Sequence, residues 1–288
     1  MKIIVPGTTS NLGPGFDSCG LALNLYLTLE IGGEVEKWVI HHTLGVSIPK
    51  DETNLIIQTA LSLAPTIHPR ELWMNSEIPA TRGLGSSSAA IIAGIELANQ
   101  LAELKLNDKE KVTIASNLEG HPDNAAPAIL GDFVVATKIN DSVFAMKHVF
   151  PDTGIIAVIP NHELLTTESR DVLPKELSYS QAVQASSISN VMISAVLAHD
   201  LKLAGEMMEN DLWHETYRKD LVPHLPEIRS LAKKKGAYAT FLSGAGSTVL
   251  VLVPYSKLEE LKQLLTETFV DATVQQFNVE REGLRVQN

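Results

Sequence analysis

Residues 79–89 read PATRGLGSSSA and lead directly into a run of small and apolar residues that ends at Leu101. Gly83 and Gly85 allow the backbone to approach a ligand closely, and a helix that starts behind them directs unpaired N–H groups at that ligand. Because such a helix start attracts anions, the segment favours a phosphate site. A tight turn followed by an N-cap is the alternative interpretation of the same residues.

The predicted helix after this loop covers residues 89–101, and the serines at positions 86–88 are candidates for its N-cap. The loop has no lysine before its last hydroxyl residue, so it is not a Walker A motif. It also lacks the third glycine and the parallel βαβ unit that a dinucleotide-binding fold needs. The loop therefore indicates a phosphate site of another kind.

Composition places the chain among globular proteins and excludes several partners. Of 288 residues, 44% are hydrophobic and 20% are charged, which argues against disorder. The 23 Lys and Arg against 34 Asp and Glu give a net charge of −11, so we expect no nucleic-acid partner. We also expect no membrane association and a cytoplasmic location, because no apolar stretch approaches about 20 residues and no signal-peptide core is present. Cys19 is the only cysteine, so no intramolecular disulfide is possible.

The order of the predicted elements indicates an α+β protein of two domains, residues 1–151 and 152–288. The first is a mixed α/β domain, in which the glycine pair 32–33 between two apolar runs predicts a hairpin. The second follows the order of a ferredoxin-like split βαβ layer. We expect helices on one face of a largely antiparallel sheet in each domain. Strands are predicted at 2–5, 21–31, 34–42, 72–78, 133–137, 153–159, 237–241, 248–253 and 272–278, and helices at 54–64, 89–101, 108–118, 163–172, 178–198, 203–210, 225–235 and 257–268.

Two further glycine-containing segments accompany the loop. Residues 6–17 read PGTTSNLGPGFD, and residues 243–247 read SGAGS. Residues 79–89 match the pattern P-x-x-x-G-L-G-S-S-A/S-A, and the three segments together resemble, in order, the three motifs of the GHMP small-molecule kinases. The resemblance extends along nearly the whole chain. It implies the two-domain α+β fold of that family, an N-terminal ATP-binding domain, ATP as phosphoryl donor, and a homodimer.

Three stretches are similar to the branch of this family that phosphorylates L-homoserine: SNLGPGFDSCG at 10–20, EGHPDNAAP at 119–127 and TESRDVLP at 167–174. This similarity implies phosphoryl transfer from ATP to the side-chain hydroxyl of homoserine, a step of threonine biosynthesis. Two alternatives stay open. One is a sibling kinase on the same scaffold with an isoprenoid or sugar-alcohol acceptor, and the other is a nucleotide-binding homologue without catalysis.

The chemistry of homoserine indicates which residues contact it. Asp17 is suited to the ammonium group, and Asn11 can orient the polar head. The carboxylate calls for a guanidinium, for which Arg170 matches the family's substrate arginine and Arg218 is the second candidate. A solvated charge on a helix face is an equally good account of Arg218. We name no catalytic base, because positioning of the hydroxyl by Asn11, Asp17 and Asn124 can suffice. The implied substrate-binding residues are Asn11, Asp17, His121, Asn124, Arg170 and Arg218.

The resemblance also implies a magnesium site and a set of ATP contacts. Glu119 supplies a hard oxygen and Ser87 a hydroxyl for Mg²⁺, which in addition binds the phosphates of the nucleotide. Asp123 caps or braces its loop. Asn54 matches a nucleotide-side position, although an N-cap of the following helix accounts for it equally well. The implied ATP-binding residues are Asn54, Pro79, Arg82, Gly83, Leu84, Gly85, Ser86, Ser87, Ser88 and Ala89.

Overall fold

The computed structural model describes residues 1–287 and contains, within them, two β-sheets and ten α-helices. The first half of the chain comprises β1 (Lys2–Ser10), β2 (Cys19–Glu34), β3 (Val39–His41), α1 (Leu55–Leu63), β4 (Arg70–Ser76), α2 (Ser86–Leu101), α3 (Asp108–Glu119), α4 (Ala125–Leu130), β5 (Phe133–Ile139) and β6 (Ser142–His148). The second half comprises β7 (Gly154–Pro160), α5 (Thr166–Asp171), α6 (Tyr179–Leu197), α7 (Leu201–Met208), α8 (Glu215–Arg218), α9 (Leu225–Lys234), β8 (Ala239–Leu242), β9 (Val249–Val253), α10 (Leu258–Thr268), β10 (Ala272–Phe277) and β11 (Arg285–Gln287).

The first sheet is built around the long antiparallel pair β1 and β2. Its strand order is β11-β1-β2-β4-β3, with β5 paired to β2 and β6 paired to β5. Because α2 and α4 pack on β1, that strand is buried along almost its whole length. The N–H of Thr8 donates to the carbonyl of Leu84 (3.1 Å). This bond holds the carboxyl end of β1 beside the loop that starts α2.

The second sheet has the antiparallel order β10-β7-β9-β8. Numbered within this half of the chain, the order is 4-1-3-2, so the predicted ferredoxin-like split βαβ layer is confirmed. The expectation of helices on one face only is wrong for this sheet. In β9, which reads VLVLV, Val249 and Val251 pack with residues of α9 and α10, whereas Leu250 and Leu252 pack with residues of α6 and α7. A strand without polar alternation is buried on both faces.

The predicted hairpin at the glycine pair 32–33 is also wrong. Strand β2 continues through both glycines to Glu34, and β3 pairs in parallel with β4. A β-bulge between Ile31 and Glu34 accommodates the pair in the ladder with β4. Glycine is needed at position 32, because a Cβ there would lie 2.5 Å from the Trp73 ring.

Four elements have no counterpart among the predicted ones: α4, β6, α8 and β11. The last of these pairs with β1, where Ile3 lies opposite Val286. The end of the second half of the chain therefore lies in the first sheet. The division of the chain at residue 151 stays a prediction, and β11 is the segment beyond it that the first sheet contains.

Candidate active site

The three glycine-containing segments meet at one cleft of about 340 Å³. The N–H of Gly244 donates to Ser10 O (3.2 Å), and Asn11 Nδ2 donates to Gly244 O (3.0 Å). Ser243 Oγ donates to Gly83 O (2.6 Å), which ties the third segment to the second. Residues far apart in the chain thus form a single site. The predicted site residues that line the cleft are Asn11, Asp17, Gly83, Gly85, Ser86, Ser87, Ser88, Glu119, His121, Asn124, Arg170 and Arg218.

One part of the cleft, the amide end, consists of residues 83–88 and Glu119. Gly83 and Gly85 both have φ +74°, a left-handed conformation that favours glycine. A Cβ on Gly83 would lie 2.2 Å from Ser243 O, and one on Gly85 would lie 2.3 Å from Thr8 Oγ1. Helix α2 begins at Ser86, earlier than predicted, so the amides of its first turn have no partner within the helix.

The prediction that a serine caps α2 is wrong. The N-cap position is occupied by Gly85, and no side chain among residues 1–287 bonds to the first-turn amides. Ser86, Ser87 and Ser88 form that first turn themselves and line the cleft. Because the unpaired N–H groups face a cleft and carry the positive end of the helix dipole, they are available to an anion.

Glu119 is the last residue of α3 and faces this helix start. Burial raises the pKa of its carboxyl to about 7, and a hydrogen bond from Ser88 opposes that shift only in part. Ser88 Oγ donates to Glu119 Oε1 (2.5 Å), while Oε2 is buried and has no hydrogen-bond partner among residues 1–287. Burial thus favours the neutral carboxyl, and the unpartnered Oε2 is free to accept a proton or a cation. The hydroxyl bonded to Glu119 is that of Ser88, whereas the predicted Ser87 is exposed at the cleft.

The opposite part of the cleft, the arginine end, consists of Phe16, Asp17, Arg170 and Arg218. Arg170 Nη2 donates to Asp17 Oδ1 (2.6 Å) and Nη1 donates to Oδ2 (3.1 Å), which is the two-bond geometry of a guanidinium on a carboxylate. Burial disfavours the charge of Arg170, but the bond to Asp17 outweighs it and raises the pKa. Both side chains are about one third exposed, so they are open to a ligand.

Arg218 is 2% exposed, which excludes a solvated charge on a helix face. Its guanidinium donates to Ser169 O (2.9 Å), Gly244 O (3.0 Å) and His214 Nδ1 (3.0 Å), and it forms no ion pair with a carboxylate within residues 1–287. Burial and the like charge of Arg170 lower its pKa to about 10, so the group stays cationic at neutral pH. A buried cation without an anionic partner is costly unless a ligand supplies the anion.

Polar residues join the two ends of the cleft. His121 Nδ1 is hydrogen-bonded to Asp123, and this bond, opposed by burial, raises the pKa of His121. Ligand atoms of Asp17, His121 and Asp123 lie within 4.8 Å of one another. Asn124 accepts a bond from Thr8 Oγ1 (2.8 Å) and donates to a serine hydroxyl at the end of β1.

The side chain of Asn11 is bonded to the backbone at both ends, because its Oδ1 also accepts the N–H of Asp17 (3.1 Å). Its conformation is left-handed, with φ +74°. The structure therefore places Asn11 as a residue that holds the loop carrying Asp17. Asp123 braces its own loop through His121, as the sequence interpretation had it.

Two matches along the sequence identify the family. Residues 54–132 match the N-terminal domain of GHMP kinases, and residues 192–271 match the C-terminal domain of GHMP kinases. Together they cover more than half of the chain, with the N-terminal domain before the C-terminal domain. The chain belongs to the GHMP kinase family. The predicted membership and the two-domain α+β fold are confirmed.

Relatives of this GHMP kinase match it over its full length. A homoserine kinase from Listeria monocytogenes serotype 4b is 60% identical over 286 residues, which is 99% of each chain. A solved structure of a protein from Listeria monocytogenes superposes with a TM-score of 0.91 at 54% identity and covers 100% of this chain and 99% of that one. The crystal structure of homoserine kinase from Cytophaga hutchinsonii has a TM-score of 0.86 at 25% identity, with coverages of 100% and 97%.

Some residues that the family resemblance implied for ATP do not line the cleft of this GHMP kinase. Asn54 caps α1 by accepting the N–H of Ile56 (3.0 Å), so the N-cap account of this residue is confirmed. The guanidinium of Arg82 donates to Pro160 O (2.9 Å) and Asn161 O (2.6 Å), which commits it to the protein. The other residues outside the lining are the half-buried Pro79 and the buried Leu84 and Ala89.

Two residues have no counterpart among the predicted site residues: Phe16 of the arginine end, and His214, which packs against it. The ring of Phe16 lies 5.5 Å from Cζ of Arg170 and 5.5 Å from Cζ of Arg218. His214 is fully buried and stacks on the same ring. Phe16 precedes Asp17 in the first glycine-containing segment, so the sequence did indicate that it lies near the site. His214 lies four residues before Arg218, which is the spacing of neighbours on a helix, but its contacts with Gly13 and Phe16 come from tertiary packing.

Proposed function

We propose that this GHMP kinase transfers the γ-phosphoryl group of ATP to the side-chain hydroxyl of L-homoserine. The observation that carries the proposal is the buried Arg218 cation, which has no carboxylate partner in the described chain and lines the same cleft as the α2 helix start. An amino acid supplies the carboxylate that this cation lacks. Full-length relatives named homoserine kinase support the same acceptor.

In the proposed reaction, the acceptor oxygen forms a bond to the γ-phosphorus while the bond to the β,γ-bridging oxygen breaks. The products are O-phospho-L-homoserine, ADP and a proton. Because the transition state is loose and spreads charge over the phosphoryl oxygens, the protein contributes mainly alignment and positive potential. The unpaired amides of residues 86–88 supply that potential at the amide end.

The donor set at the amide end fits a magnesium ion. The unpartnered Oε2 of Glu119 is a hard oxygen ligand, and the serine hydroxyls beside it are compatible ligands. When bound, the ion neutralises charge on the transferring phosphates. We propose Glu119 and the hydroxyl of Ser87 as its protein ligands, with Ser88 holding the Glu119 carboxylate in place through its hydrogen bond.

At the arginine end, we propose that Arg218 and Arg170 bind the carboxylate of homoserine and that Asp17 binds its ammonium group. Asp17 and Arg170 already pair with each other, so a zwitterion extends an existing arrangement of opposite charges. His121, whose pKa is raised, is positioned to donate a hydrogen bond to the substrate. Asn11 and Asn124 act by fixing the loops, because their amides are bonded to the protein.

The proposed ATP contacts outside the cleft lining need separate tests. Asn54 and Arg82 have protein partners for their polar groups, which argues against a contact of either residue with the nucleotide, and that assignment stays untested. A homodimer and a cytoplasmic location also stay predictions. Among residues 1–287, no helix combines the length and apolar character needed to cross a bilayer.

One assay tests the proposed function. Release of ADP from Mg-ATP is measured with L-homoserine, mevalonate, galactose and no acceptor. We expect acceptor-dependent ADP release with homoserine and formation of O-phosphohomoserine. Turnover with mevalonate or galactose instead would establish a sibling kinase. Nucleotide binding without ADP release for any acceptor would establish a homologue without catalysis.

A further inference from the structure

The imidazole of His214 lies between the glycine loop after β1 and the helix that carries Arg218. Its Nε2 lies 3.0 Å from Gly13 O, and its Nδ1 lies 3.0 Å from Arg218 Nη1. The side chain is fully buried, and neither nitrogen reaches solvent. The imidazole is therefore a bridge between two elements that are far apart in the sequence.

The partners of His214 fix its tautomer. A guanidinium only donates hydrogen bonds, so Nδ1 must be the acceptor and carries no proton. Gly13 O only accepts, so Nε2 must carry the proton and donate. This tautomer satisfies both contacts, whereas a doubly protonated imidazole would point an N–H at the Arg218 cation. The nearby Asp211 Oδ2, 3.6 Å from Nε2, is occupied by the backbone N–H groups of His214 (2.9 Å) and Glu215 (2.8 Å).

The imidazole also supports the aromatic ring that contacts both arginines. The rings of His214 and Phe16 are stacked, with centroids 5.2 Å apart and planes at 24°. The guanidinium carbons of Arg170 and Arg218 each lie 5.5 Å from the Phe16 centroid. Displacement of the imidazole would therefore loosen Arg218 directly and the Phe16 contact indirectly.

We infer that His214 is a positioning residue for recognition of the acceptor carboxylate: its Nδ1 lone pair holds the guanidinium of Arg218, and its Nε2–H anchors the imidazole to Gly13. The inference rests on the proposed function, because it assigns the carboxylate of the amino acid to Arg218. Arg218 donates its remaining bonds to the carbonyls of Ser169 and Gly244, so His214 Nδ1 is its one side-chain acceptor in the described chain.

Two substitutions separate the two nitrogens of His214. In His214→Gln, the amide nitrogen takes the place of Nε2 and keeps the donor to Gly13, but no acceptor faces Arg218. In His214→Asn, the amide oxygen takes the place of Nδ1 and keeps that acceptor, but the shorter side chain leaves a larger cavity. We therefore expect His214→Asn to be the less thermally stable variant and His214→Gln to have the higher homoserine KM, about tenfold above wild type.

His214→Asn is thus expected to be the less stable variant and His214→Gln the weaker binder of homoserine. A merely structural role of His214 would not produce these opposite orders. If the homoserine KM follows the loss of stability, with His214→Asn the weaker binder, the inference is wrong. The KM for ATP should stay within about twofold of wild type in both variants. His224→Gln is the matched control, because its imidazole also bonds a backbone carbonyl, Ser247 O (2.9 Å), but lies outside the cleft lining.

A substrate without the carboxylate tests the assignment to that group. 3-Aminopropan-1-ol retains the ammonium, the chain and the hydroxyl of homoserine. We expect kcat/KM for this analogue to be the same in wild type and His214→Gln within about twofold, so that the preference for homoserine falls about tenfold. An equal loss for both substrates would contradict the inference.

Calorimetric binding of homoserine to the nucleotide-free enzyme separates this inference from the proposed function. A wild type that binds homoserine without phosphorylating it would overturn the proposed function alone, and the order of the dissociation constants would then decide the inference. A wild type that neither binds nor phosphorylates homoserine would overturn both.

Discussion

The two ends of the cleft differ in the groups that line them and in how those groups are distributed along the chain. The amide end is made of backbone and small side chains from one continuous loop and the start of α2, with one carboxylate, Glu119, facing it. The arginine end is made of charged side chains from three separate segments, at Asp17, Arg170 and Arg218, and it is supported by the Phe16 ring, the His214 imidazole and the carbonyl of Gly244. A phosphate chain is bound by backbone N–H groups that converge on its oxygens, whereas a zwitterion needs opposite charges at fixed separations.

The two ends also differ in how much free energy of folding they cost. The amides and the glycine conformations at the amide end follow from local backbone geometry. At the arginine end, the buried Arg218 cation has no anionic partner in the described part of the chain, and the surrounding carbonyls and His214 Nδ1 only partly compensate for its lost hydration. Selectivity for the acceptor is therefore expected to depend on packing, and phosphate binding on the loop itself.

The largest effect is expected at the amide end, from loss of the Glu119 charge. Glu119→Gln should lower kcat by about 10²–10³-fold, because the variant loses the charge that we propose binds the metal. The homoserine KM should change by less than about threefold. Steady-state kinetics across a Mg²⁺ titration measures both. Wild-type turnover of this variant at every Mg²⁺ concentration would remove Glu119 from the metal site.

A second prediction concerns the stability of the metal-free enzyme against pH. Burial raises the pKa of Glu119 from 4.5 to about 7, so the folded state holds the proton more tightly than the unfolded state. The stability that this group contributes is complete below pH 4.5 and is lost as pH rises through 7. Relative to Glu119→Gln, the wild type in a chelator should lose up to about 3 kcal/mol of unfolding free energy between pH 4.5 and 8.5.

Urea denaturation at a series of pH values checks this prediction. Ser88→Ala should move the wild-type curve to higher pH, since the hydrogen bond that stabilises the carboxylate is removed, whereas Ser87→Ala should leave the curve in place. Parallel curves for wild type and Glu119→Gln would show that the carboxyl is not perturbed by burial.

The third prediction concerns the arginine end. Arg218→Lys keeps the charge but removes the planar set of donors, so the homoserine KM should rise roughly tenfold to hundredfold with the ATP KM unchanged. Arg170→Lys, at a half-buried site, should raise it by a smaller factor. Kinetics with each substrate varied in turn separates the two constants. An unchanged homoserine KM in both variants would contradict the proposed binding of the acceptor at the arginine end.

The smallest effect is expected from Arg82, which the sequence interpretation placed at the nucleotide. Its guanidinium bonds the carbonyls of Pro160 and Asn161, at the end of β7. Arg82→Ala should therefore cost about 1–3 kcal/mol of unfolding free energy and change the ATP KM by less than about twofold. A large rise in the ATP KM at unchanged stability would restore Arg82 to the nucleotide site.

The sequence predicted the amide end better than the arginine end for a physical reason. Left-handed glycines and a helix start are local features, so residues 83–88 could be interpreted from their own composition. Even there, the serine N-cap was wrong, because the turn at Gly85 sets the helix start without a side-chain cap. The burial of Arg218 depends on Ser169, His214 and Gly244, and α8 is only four residues long, too short for a periodic pattern.

The fold shows the same limit. The order of elements in the second half was enough to predict the ferredoxin-like split βαβ layer, because that order has few compact solutions. The glycine pair 32–33 was misinterpreted, since only the neighbouring Trp73 ring reveals why glycine stands there. Likewise, nothing local to residues 285–287 indicates their pairing with β1.

A crystal structure with a non-hydrolysable ATP analogue, Mg²⁺ and L-homoserine tests the central claim most directly. The account predicts phosphate oxygens on the amides of residues 86–88, the metal on Glu119, and the homoserine carboxylate on Arg218. A triphosphate bound away from the start of α2, or an acceptor carboxylate that leaves Arg218 without an anionic partner, would contradict it.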